Sequence, residues 1–377
     1  MPFKITAPEQ EPRKKKYTLF SFLRFIISWS VLISTLLACL APYVNPQKVW
    51  FIALFGLGFV YLYLLNIILL VINIVRKRKI LFLHLMVFLF GIRVFLNHFN
   101  FSTSNPSNND GINLLTYNVR VFDLYNWSKN LETKAEMFEL IKNQNPSIVC
   151  FQEFYSSTIA DYRNLDSLKQ LLQLNEVHTL FPVFLYGTDY FGVVTMTNLP
   201  VIRKETVFHN KAQSNGAICT DVVLNDKDTV RIYNVHLQSI RFKPEDYKFI
   251  KSVELSADQK QIDGLEGVMT RLKKAFVLRA SQVNLIAEHI TKSPYPVMIV
   301  GDFNDTPASY TYNKLSDKLI DAFEESGKGL STTYNGAFPA FRIDYILHDK
   351  RITSSDYRVI KKDLSDHYPV VCNISVK

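Results

Sequence analysis

The sequence predicts an α+β domain of packed sheets that is preceded by three membrane-spanning helices. Two observations support this fold class. The first 100 residues contain three long apolar stretches, whereas the rest has the composition of a globular domain. In the globular part, short β-branched and aromatic runs outnumber helical stretches, and several follow one another across short turns. This pattern is typical of α+β folds rather than of a doubly wound sheet.

The three apolar stretches cover about residues 25–44, 49–75 and 80–99. Each is long enough to span a membrane, because a helix needs about 20 apolar residues to cross the hydrocarbon core. A cleaved signal peptide is a poor alternative, since the three stretches follow one another with only short connections. We therefore expect residues 1–100 to have the lipid bilayer as their partner, and we predict no obligate protein partner.

Clusters of basic residues predict the orientation of these helices. Arg13–Lys16 precedes the first stretch and Arg76–Lys79 separates the second from the third, whereas the loop between the first two contains only Lys48. By the positive-inside rule, the N-terminus is cytoplasmic and the globular domain lies on the other side. Three spans in this orientation fit a bacterial inner (cytoplasmic) membrane protein with a periplasmic domain.

The net charge does not indicate nucleic-acid binding. The chain has 43 Lys+Arg and 34 Asp+Glu, a formal net charge of +9. The first 100 residues contain 12 basic and 2 acidic residues, so that residues 101–377 carry a net charge of −1. A nuclease needs a positive groove for backbone phosphates, and the overall charge of the globular part provides no such bias.

The polar, turn-rich residues 101–110 are predicted to be a linker between the membrane segment and one domain at residues 111–377. The predicted strands are 112–118, 147–152, 192–197, 217–224, 229–236, 297–301, 342–347 and 370–376, and the predicted helices are 134–143 and most of 244–291. Cys150, Cys219 and Cys372 lie in β-like apolar runs and no pair has CxxC spacing. We therefore expect these cysteines to be small buried hydrophobic residues.

Apolar runs of the predicted strands end abruptly in polar residues, and one further polar pair precedes the final strand. These polar residues are Asn118, Glu153, Asn234 with His236, Asp302 with Asn304, Asp344, and Asp366 with His367. Any one of them is explained by the preference of Asp and Asn for turns, but four acidic and two His side chains together are not. Strand ends at one edge of a sheet can bring residues from distant parts of the sequence to one site.

The chemistry of these side chains predicts a hard cation and a phosphoester substrate. Carboxylate and amide oxygens suit Mg²⁺ or Mn²⁺, whereas zinc prefers His and Cys. A His with an Asp partner beside a metal can stabilise a phosphoryl oxygen or protonate a leaving group. The combination predicts phosphoester hydrolysis.

The same residues, in order, are similar to the motifs of the endonuclease/exonuclease/phosphatase superfamily. The motifs are Tyr117-Asn118, Gln152-Glu153, Asn234-Val235-His236-Leu237, Gly301-Asp302-Phe303-Asn304, Arg342-Ile343-Asp344-Tyr345 and Ser365-Asp366-His367. The resemblance covers about residues 111–376. It implies a four-layer αββα sandwich (DNase I-like) with the site at one end of the two sheets.

The resemblance also implies a role for each residue. Glu153 would be the principal metal ligand, with Asn118 and Asp366 beside the ion. Asp302 would orient or deprotonate the attacking water, and Asn304 would position the water and the phosphate. His367, held by Asp344, would contact the scissile phosphate. Asn234 and His236 would complete the phosphate-binding set, with His236 as a candidate acid toward the leaving oxygen.

Three points remain open in the sequence. Arg120 occupies a position where some relatives have a second carboxylate, which weakens a second metal site, and it is either a phosphate contact or a solvated residue. The insertion at 241–274 carries mixed charges and is either a solvated amphipathic helix or a cap over the substrate. The predicted function is a phosphodiesterase or phosphatase. The alternatives are a tethered nuclease, a sphingomyelinase-like lipid headgroup hydrolase and an inactive scaffold.

Overall fold

The structure is a computed structural model that describes residues 19–101, 111–210, 213–225, 227–243, 245–246, 249, 259–336 and 341–377. The predicted linker, apart from residue 101, the basic cluster Arg13–Lys16 and part of the 241–274 insertion lie outside these residues. The helices are α1 (Leu19–Leu40), α2 (Ile52–Leu57), α3 (Phe59–Val75), α4 (Leu81–Leu96), α5 (Thr133–Asn143), α6 (Asn164–Leu172), α7 (Gln259–Ile290), α8 (Tyr310–Ser316) and α9 (Ala322–Ser326). The strands are β1 (Phe99–Asn100), β2 (Ile112–Asn118), β3 (Ile148–Ser157), β4 (Glu176–Leu185), β5 (Asp189–Thr197), β6 (Val201–His209), β7 (Gly216–Val223), β8 (Thr229–His236), β9 (Val297–Asp302), β10 (Ile320–Asp321), β11 (Gly329–Leu330), β12 (Asp344–His348), β13 (Ile352–Val359) and β14 (Val370–Val376).

Two six-stranded sheets form the globular part. The first sheet has the order β13-β14-β2-β3-β5-β4, and the second has the order β10-β12-β9-β8-β7-β6. Each sheet contains one parallel pair near its centre, β2 with β3 and β8 with β9, and all other neighbours are antiparallel. Because the residues on a strand alternate between its two faces, each sheet contributes one apolar face to the inter-sheet core and one to a helical layer.

Three apolar clusters define four layers. The cluster between the sheets includes Leu114 and Cys150 from the first sheet and Ile232 and Val300 from the second. On the outer face of the first sheet, side chains of α5 and α6 pack against β2 and β3. On the outer face of the second sheet, side chains of α7 and α8 pack against β7, β8 and β9. The αββα arrangement predicted for the globular part is therefore confirmed.

The N-terminal region differs from the prediction of three membrane-spanning helices. Among the described residues, only one helical span, Ser21–Tyr43 with 23 residues, is long and apolar enough to cross a membrane. The second predicted span is divided at Gly58 into α2 and the 17-residue α3. The third is reduced to the 16-residue α4, because the chain beyond Leu96 enters β1 and pairs with β11 of the globular part.

The N-terminal helices pack directly against the globular part. Ala308, in the loop before α8, belongs to one apolar cluster with Ala38 and Tyr63. Gly56 allows this approach, since a Cβ atom there would lie 2.6 Å from the carbonyl oxygen of Ala308. At the end of α4, the Nη2 of Arg342 donates to the carbonyl oxygen of Asn97 at 2.7 Å. These contacts place the ends of the helices beside the loop that begins at Asp302.

Candidate active site

Strand register brings the predicted residues to one edge of the sandwich. In the first sheet Asn118 at the end of β2 pairs with Gln152 in the middle of β3, where the parallel pairing of the two strands stops, and Glu153 follows. In the second sheet Asp302 pairs both with His236 at the end of β8 and with Asp344 at the start of β12. Parallel neighbours end at the same edge, so side chains far apart in sequence meet there.

The carboxylate of Asp302 accepts three hydrogen bonds at this edge. Its Oδ2 accepts hydrogen bonds from Asn118 Nδ2 at 3.0 Å and from Asn304 Nδ2 at 2.9 Å. Its Oδ1 accepts from the backbone N–H of Asn304 at 2.8 Å. Burial and the negative charge of Asp344 raise the pKa of Asp302 to about 7, although the positive charge of His367 and the bonds from Asn118 and Asn304 oppose the rise. A carboxylate with a pKa near neutrality is suited to accept a proton from water.

The turn after β9 requires the residues found there. Gly301 has φ +131°, and a Cβ at this position would lie 2.2 Å from the carbonyl oxygen of Val235. Asn304 adopts the left-handed conformation with φ +53°, which Asn tolerates better than most residues. Its Nδ2 also donates to the carbonyl oxygen of Leu237 at 3.1 Å. The predicted Gly301–Asn304 motif is therefore the tight connection that aims Asp302 and Asn304 at the same point.

His367 is held as an imidazolium by Asp344. The Nδ1 atom of His367 lies 2.9 Å from Asp344 Oδ2 and 3.1 Å from Oδ1. Burial lowers the pKa of His367, but the charges of Asp344 and Asp302 and the bond to Asp344 raise it well above its ordinary value. The hydroxyl of Thr333 accepts the backbone N–H of Asp344 at 3.1 Å, and the ring of Tyr334 packs edge-on against His367. His367 thus carries a positive charge that is held in one position at the site.

Glu153 reaches the site because β3 bulges there. The register of β3 against β5 shifts between Phe151 and Phe154, and Glu153 has φ +48°. Its side chain is 32% exposed, with Oε1 3.6 Å from His236 Nε2. Burial and the charge of Asp366 raise the pKa of Glu153. Two partly exposed carboxylates that disfavour each other's charge fit a bound cation, which would remove the repulsion.

The oxygens of Glu153, Asp366 and Asn118 therefore fit a hard divalent cation, as predicted for these residues. Ligand atoms of Asp302, Asp344 and His367 also lie within 4.8 Å of one another. However, the imidazolium of His367 already supplies the positive charge beside those two carboxylates. A cation would therefore fit the Glu153 side of the site better.

His236 is buried and neutral. Burial, and then repulsion from the cationic His367, lowers the pKa of His236 to about 3. Its Nε2 lies 3.7 Å from Asp302 Oδ2 and 3.4 Å from the side-chain Nδ2 of Asn215. A neutral ring favours hydrogen-bond donation to a phosphate oxygen over the action of a cationic acid.

The prediction that Asn234 contacts substrate is not supported by its position. Asn234 is fully buried, and its Nδ2 is within hydrogen-bond distance of the carbonyl oxygens of Phe151 and Val194 at 3.2 and 3.0 Å. Its Oδ1 accepts from Gln152 Nε2 at 2.8 Å. The amide joins the two sheets behind the site, so we describe it as a positioning residue for Gln152 and its neighbour Glu153.

Arg120 lies within the site rather than in solvent. Its Nε is 3.4 Å from Asp366 Oδ2, and its guanidinium lies 4.4 Å from the ring centroid of Trp127. All four residues of the turn Arg120–Asp123 have positive φ, from 43° to 55°. A cavity of about 440 Å³ opens here, lined by Arg120, Trp127, Tyr334, Asp363 and Asp366 among others. The exposed Trp127 and the left-handed turn carried no signal in the sequence.

Comparison with known proteins agrees with this arrangement. A sequence profile of the endonuclease/exonuclease/phosphatase family matches residues 115–367, and one for a domain of unknown function matches residues 13–99. No curated protein matches the chain.

Three solved structures illustrate the similarity. An endonuclease/exonuclease/phosphatase family protein from Leptotrichia buccalis C-1013-b is 16% identical (TM-score 0.47), and the match covers 70% of this chain and 99% of that one. The human Nocturnin catalytic domain with bound sulfate is 16% identical (TM-score 0.48; 71% and 94% covered). The mannosyl-6-phosphatase Bt3783 of Bacteroides thetaiotaomicron VPI-5482 is 13% identical (TM-score 0.46; 70% and 99% covered). Since the family profile matches about two thirds of its length, the chain belongs to the endonuclease/exonuclease/phosphatase family, whose members are hydrolases that act on phosphoesters.

Proposed function

We propose that this protein is a membrane-anchored, divalent-metal-dependent phosphoester hydrolase. The observation that carries the proposal is the arrangement around Asp302. A carboxylate with a pKa near neutrality lies 3.9 Å from the Nε2 of the cationic His367, while Glu153 and Asp366 offer oxygens on the adjacent side. The proton acceptor Asp302, the positive charge of His367 and the proposed cation site at Glu153 and Asp366 therefore border one opening.

Glu153, Asp366 and the side-chain oxygen of Asn118 would hold Mg²⁺ or Mn²⁺. A bound cation of this kind would polarise the phosphoryl oxygens and offset charge on the leaving oxygen. Asn118 Oδ1 also accepts the backbone N–H of Arg120 at 3.1 Å, which fixes the direction of the amide. The donor set thus has two carboxylates and one oriented amide, a hard-ligand combination.

The other residues of the site supply the remaining steps. Asp302 accepts a proton from the attacking water, and Asn118 and Asn304 hold its carboxylate in one orientation. His367 Nε2 donates to a phosphate oxygen and stabilises the negative charge that develops there. His236 donates a further hydrogen bond as a neutral ring. Because these groups are fixed before substrate binds, little reorganisation accompanies the reaction.

The proposed anchor is the N-terminal helical unit. Large apolar side chains on α1, α3 and α4 are exposed, among them Phe22, Ile33, Ile68, Val75, Phe82 and Leu89. A bilayer would cover this surface, with α1 long enough to cross it. We retain the proposal of a bacterial inner-membrane protein with a cytoplasmic N-terminus and a periplasmic catalytic domain. A C-terminal reporter fusion that is active only in the cytosol would contradict it.

The proposed substrate is a small or lipid-borne phosphoester rather than nucleic acid. The cavity beside the site contains Asp123, Asp363 and Asp366 with a single cationic side chain, Arg120, among its described lining residues. A polyanionic backbone is poorly accommodated by such a surface. Anchoring to a membrane would raise the local concentration of lipid substrates.

The test is hydrolysis by the full chain in detergent with Mg²⁺ or Mn²⁺. The panel is bis-p-nitrophenyl phosphate, p-nitrophenyl phosphate, sphingomyelin, phosphoinositides, plasmid DNA and RNA. We expect activity on at least one phosphoester that is lost on chelation and in Glu153→Gln and His367→Ala, and retained in the control Glu288→Gln, which changes an exposed glutamate on α7. Activity that survives both site variants, or silence of the folded protein across the panel, would contradict the proposal.

A further inference from the structure

A second cluster of ligand-type side chains lies away from the active site, on the face of the second sheet that packs against α7. Glu205 on β6 pairs with Cys219 on β7, and Cys219 pairs with Tyr233 on β8. Paired residues share a face, so the three side chains lie side by side. His289, in the last turn of α7, contacts them from above. We propose that Glu205, Cys219 and His289 form a zinc-binding site.

The distances between the ligand atoms suit this metal. A carboxylate oxygen of Glu205, the Sγ of Cys219 and a ring nitrogen of His289 all lie within 4.8 Å of one another. Glu205 Oε1 and His289 Nε2 are 3.3 Å apart. Tetrahedral zinc with bonds of about 2.0–2.3 Å separates its ligand atoms by about 3.3–3.8 Å. Two ligands are therefore already at this spacing, and the thiol, within 4.8 Å of both, can reach it by a small shift.

Neighbouring residues orient the two outer ligands. The hydroxyl of Tyr233 lies 2.8 Å from His289 Nδ1, which leaves Nε2 directed toward Glu205. The Nη2 of Arg203 lies 2.7 Å from Glu205 Oε2, which leaves Oε1 directed toward His289. Metal-ligating His and carboxylate groups usually have such a partner on their second polar atom.

The chemistry of the three ligands favours zinc over Mg²⁺. One thiolate, one imidazole and one carboxylate suit zinc, whereas Mg²⁺ takes oxygen ligands. The side chains of His289 and Glu205 are 22% and 32% exposed, so water can reach a fourth position. Cys219 is only 1% exposed and supplies the ligand from the sheet.

Binding has a defined proton balance. Zinc binds Cys219 as the thiolate, so that binding releases the thiol proton to solvent. Zinc would bind the neutral ring of His289 through Nε2, which places the ring proton on Nδ1, 2.8 Å from the Tyr233 hydroxyl. One proton is released in total, and no redox change occurs.

The site would tie the edge strand β6 to β7 and to the end of α7. β6 is the last strand of its sheet, and edge strands have a neighbour on one side only. A metal that binds the folded state raises its stability by mass action. This role is independent of phosphoester hydrolysis and of the cation at Glu153.

Cobalt is the probe for the thiolate. Co²⁺ is added to the reduced, metal-free full chain in detergent, and the near-ultraviolet thiolate-to-cobalt charge-transfer band is recorded. We expect the band in the wild type and in Cys150→Ala, which removes a buried thiol from the inter-sheet core, and we expect its loss in Cys219→Ala. Absence of the band from the wild type, or its persistence in Cys219→Ala, overturns the proposal.

Zinc calorimetry provides the second test, in a Glu153→Gln background that weakens the active-site cation. We expect one zinc bound per chain with release of one proton, measured in buffers of different ionisation enthalpy. Glu205→Gln and His289→Gln should weaken binding at least tenfold and abolish the zinc-dependent rise in unfolding temperature. Wild-type zinc affinity in both variants would overturn the assignment.

Discussion

Asn118 Nδ2 donates to Asp302 Oδ2 at 3.0 Å and so joins the first sheet to the second at the active-site edge. Both side chains are almost completely buried. The bond orients the proposed base, and it also directs Asn118 Oδ1 away from Asp302, toward the proposed cation. A single hydrogen bond therefore couples the two halves of the site.

Replacing Asn118 tests this coupling. We expect Asn118→Ala to lower kcat about 10²-fold or more, because Asp302 loses an orienting donor and the cation loses a ligand. The free energy of unfolding should fall by about 1–3 kcal/mol, the usual cost of leaving a buried group without its partner. Steady-state kinetics over a range of Mg²⁺ concentrations, together with urea unfolding, measure both effects. Unchanged kcat at saturating Mg²⁺ would contradict the assigned role.

Replacing Asp344 tests the charge on His367. In Asp344→Asn the carboxylate that raises the pKa of His367 is removed, so the imidazolium should lose its proton at a lower pH. We expect kcat to fall about 10²–10³-fold and the alkaline limb of the pH–rate profile to move to lower pH. The histidine titration followed by NMR supplies an independent reading. An alkaline limb at the wild-type position would show that His367 does not act as a cation.

The hydrogen bonds of Glu325 should make the folded protein less stable in acid. Burial would raise the pKa of Glu325, but hydrogen bonds from His348 and Ser354 lower it to about 2. Because the folded-state pKa lies below the ordinary value of 4.5, the stabilisation is complete above about pH 4.5 and is lost as the pH falls toward 2. The contribution is at most about 3 kcal/mol.

Glu325→Gln should therefore lower the free energy of unfolding at pH 6 and flatten its dependence between about pH 5 and pH 2. Chemical denaturation at a series of pH values makes the comparison. Glu176→Gln, which changes an exposed carboxylate paired with Lys204, is the control and should keep the wild-type slope. Equal slopes in wild type and Glu325→Gln would refute the prediction.

The contacts of Arg342 link the N-terminal helical unit to the catalytic domain. Its Nη1 lies 2.5 Å from Asp321 Oδ2, its Nη2 binds the carbonyl oxygen of Asn97, and the guanidinium lies 4.6 Å from the ring centroid of Tyr345. Arg342→Met should lower the free energy of unfolding by about 3–5 kcal/mol, because Asp321 keeps a buried charge without its partner.

The double variant Arg342→Met/Asp321→Asn is the matched control and should recover part of that loss. Arg342→Met should also release the end of α4 from the globular domain. Limited proteolysis measures this release, since it should expose cleavage sites near residue 100. Protection equal to that of the wild type in Arg342→Met would show that this contact does not hold the two parts together.

Much of the active site was predictable because its residues occupy strand ends. Asn118, Glu153, Asp302 and Asp344 each stand where an apolar run stops, and His367 stands just before the last strand. A β-rich domain brings such positions to common edges. Asn234 has the same sequence signal, yet its amide lies between the sheets. Asn234 and His236 are two residues apart and therefore lie on the same face of β8. The sequence could not tell which of these two residues lies at the opening of the site.

The sequence by itself indicated the α+β class with packed sheets, eight of the strands and the chemical types gathered at one edge, because hydrophobic periodicity and strand ends are local properties, whereas β4, β6 and β13 were not predicted. Tertiary structure alone decided three other features. The second apolar stretch breaks at Gly58, next to the close approach of Gly56 to Ala308. The placement of Arg120 against Trp127 accompanies a left-handed turn. The meeting of Glu205, Cys219 and His289 depends on strand register and on the docking of α7, which bring together residues up to 84 positions apart.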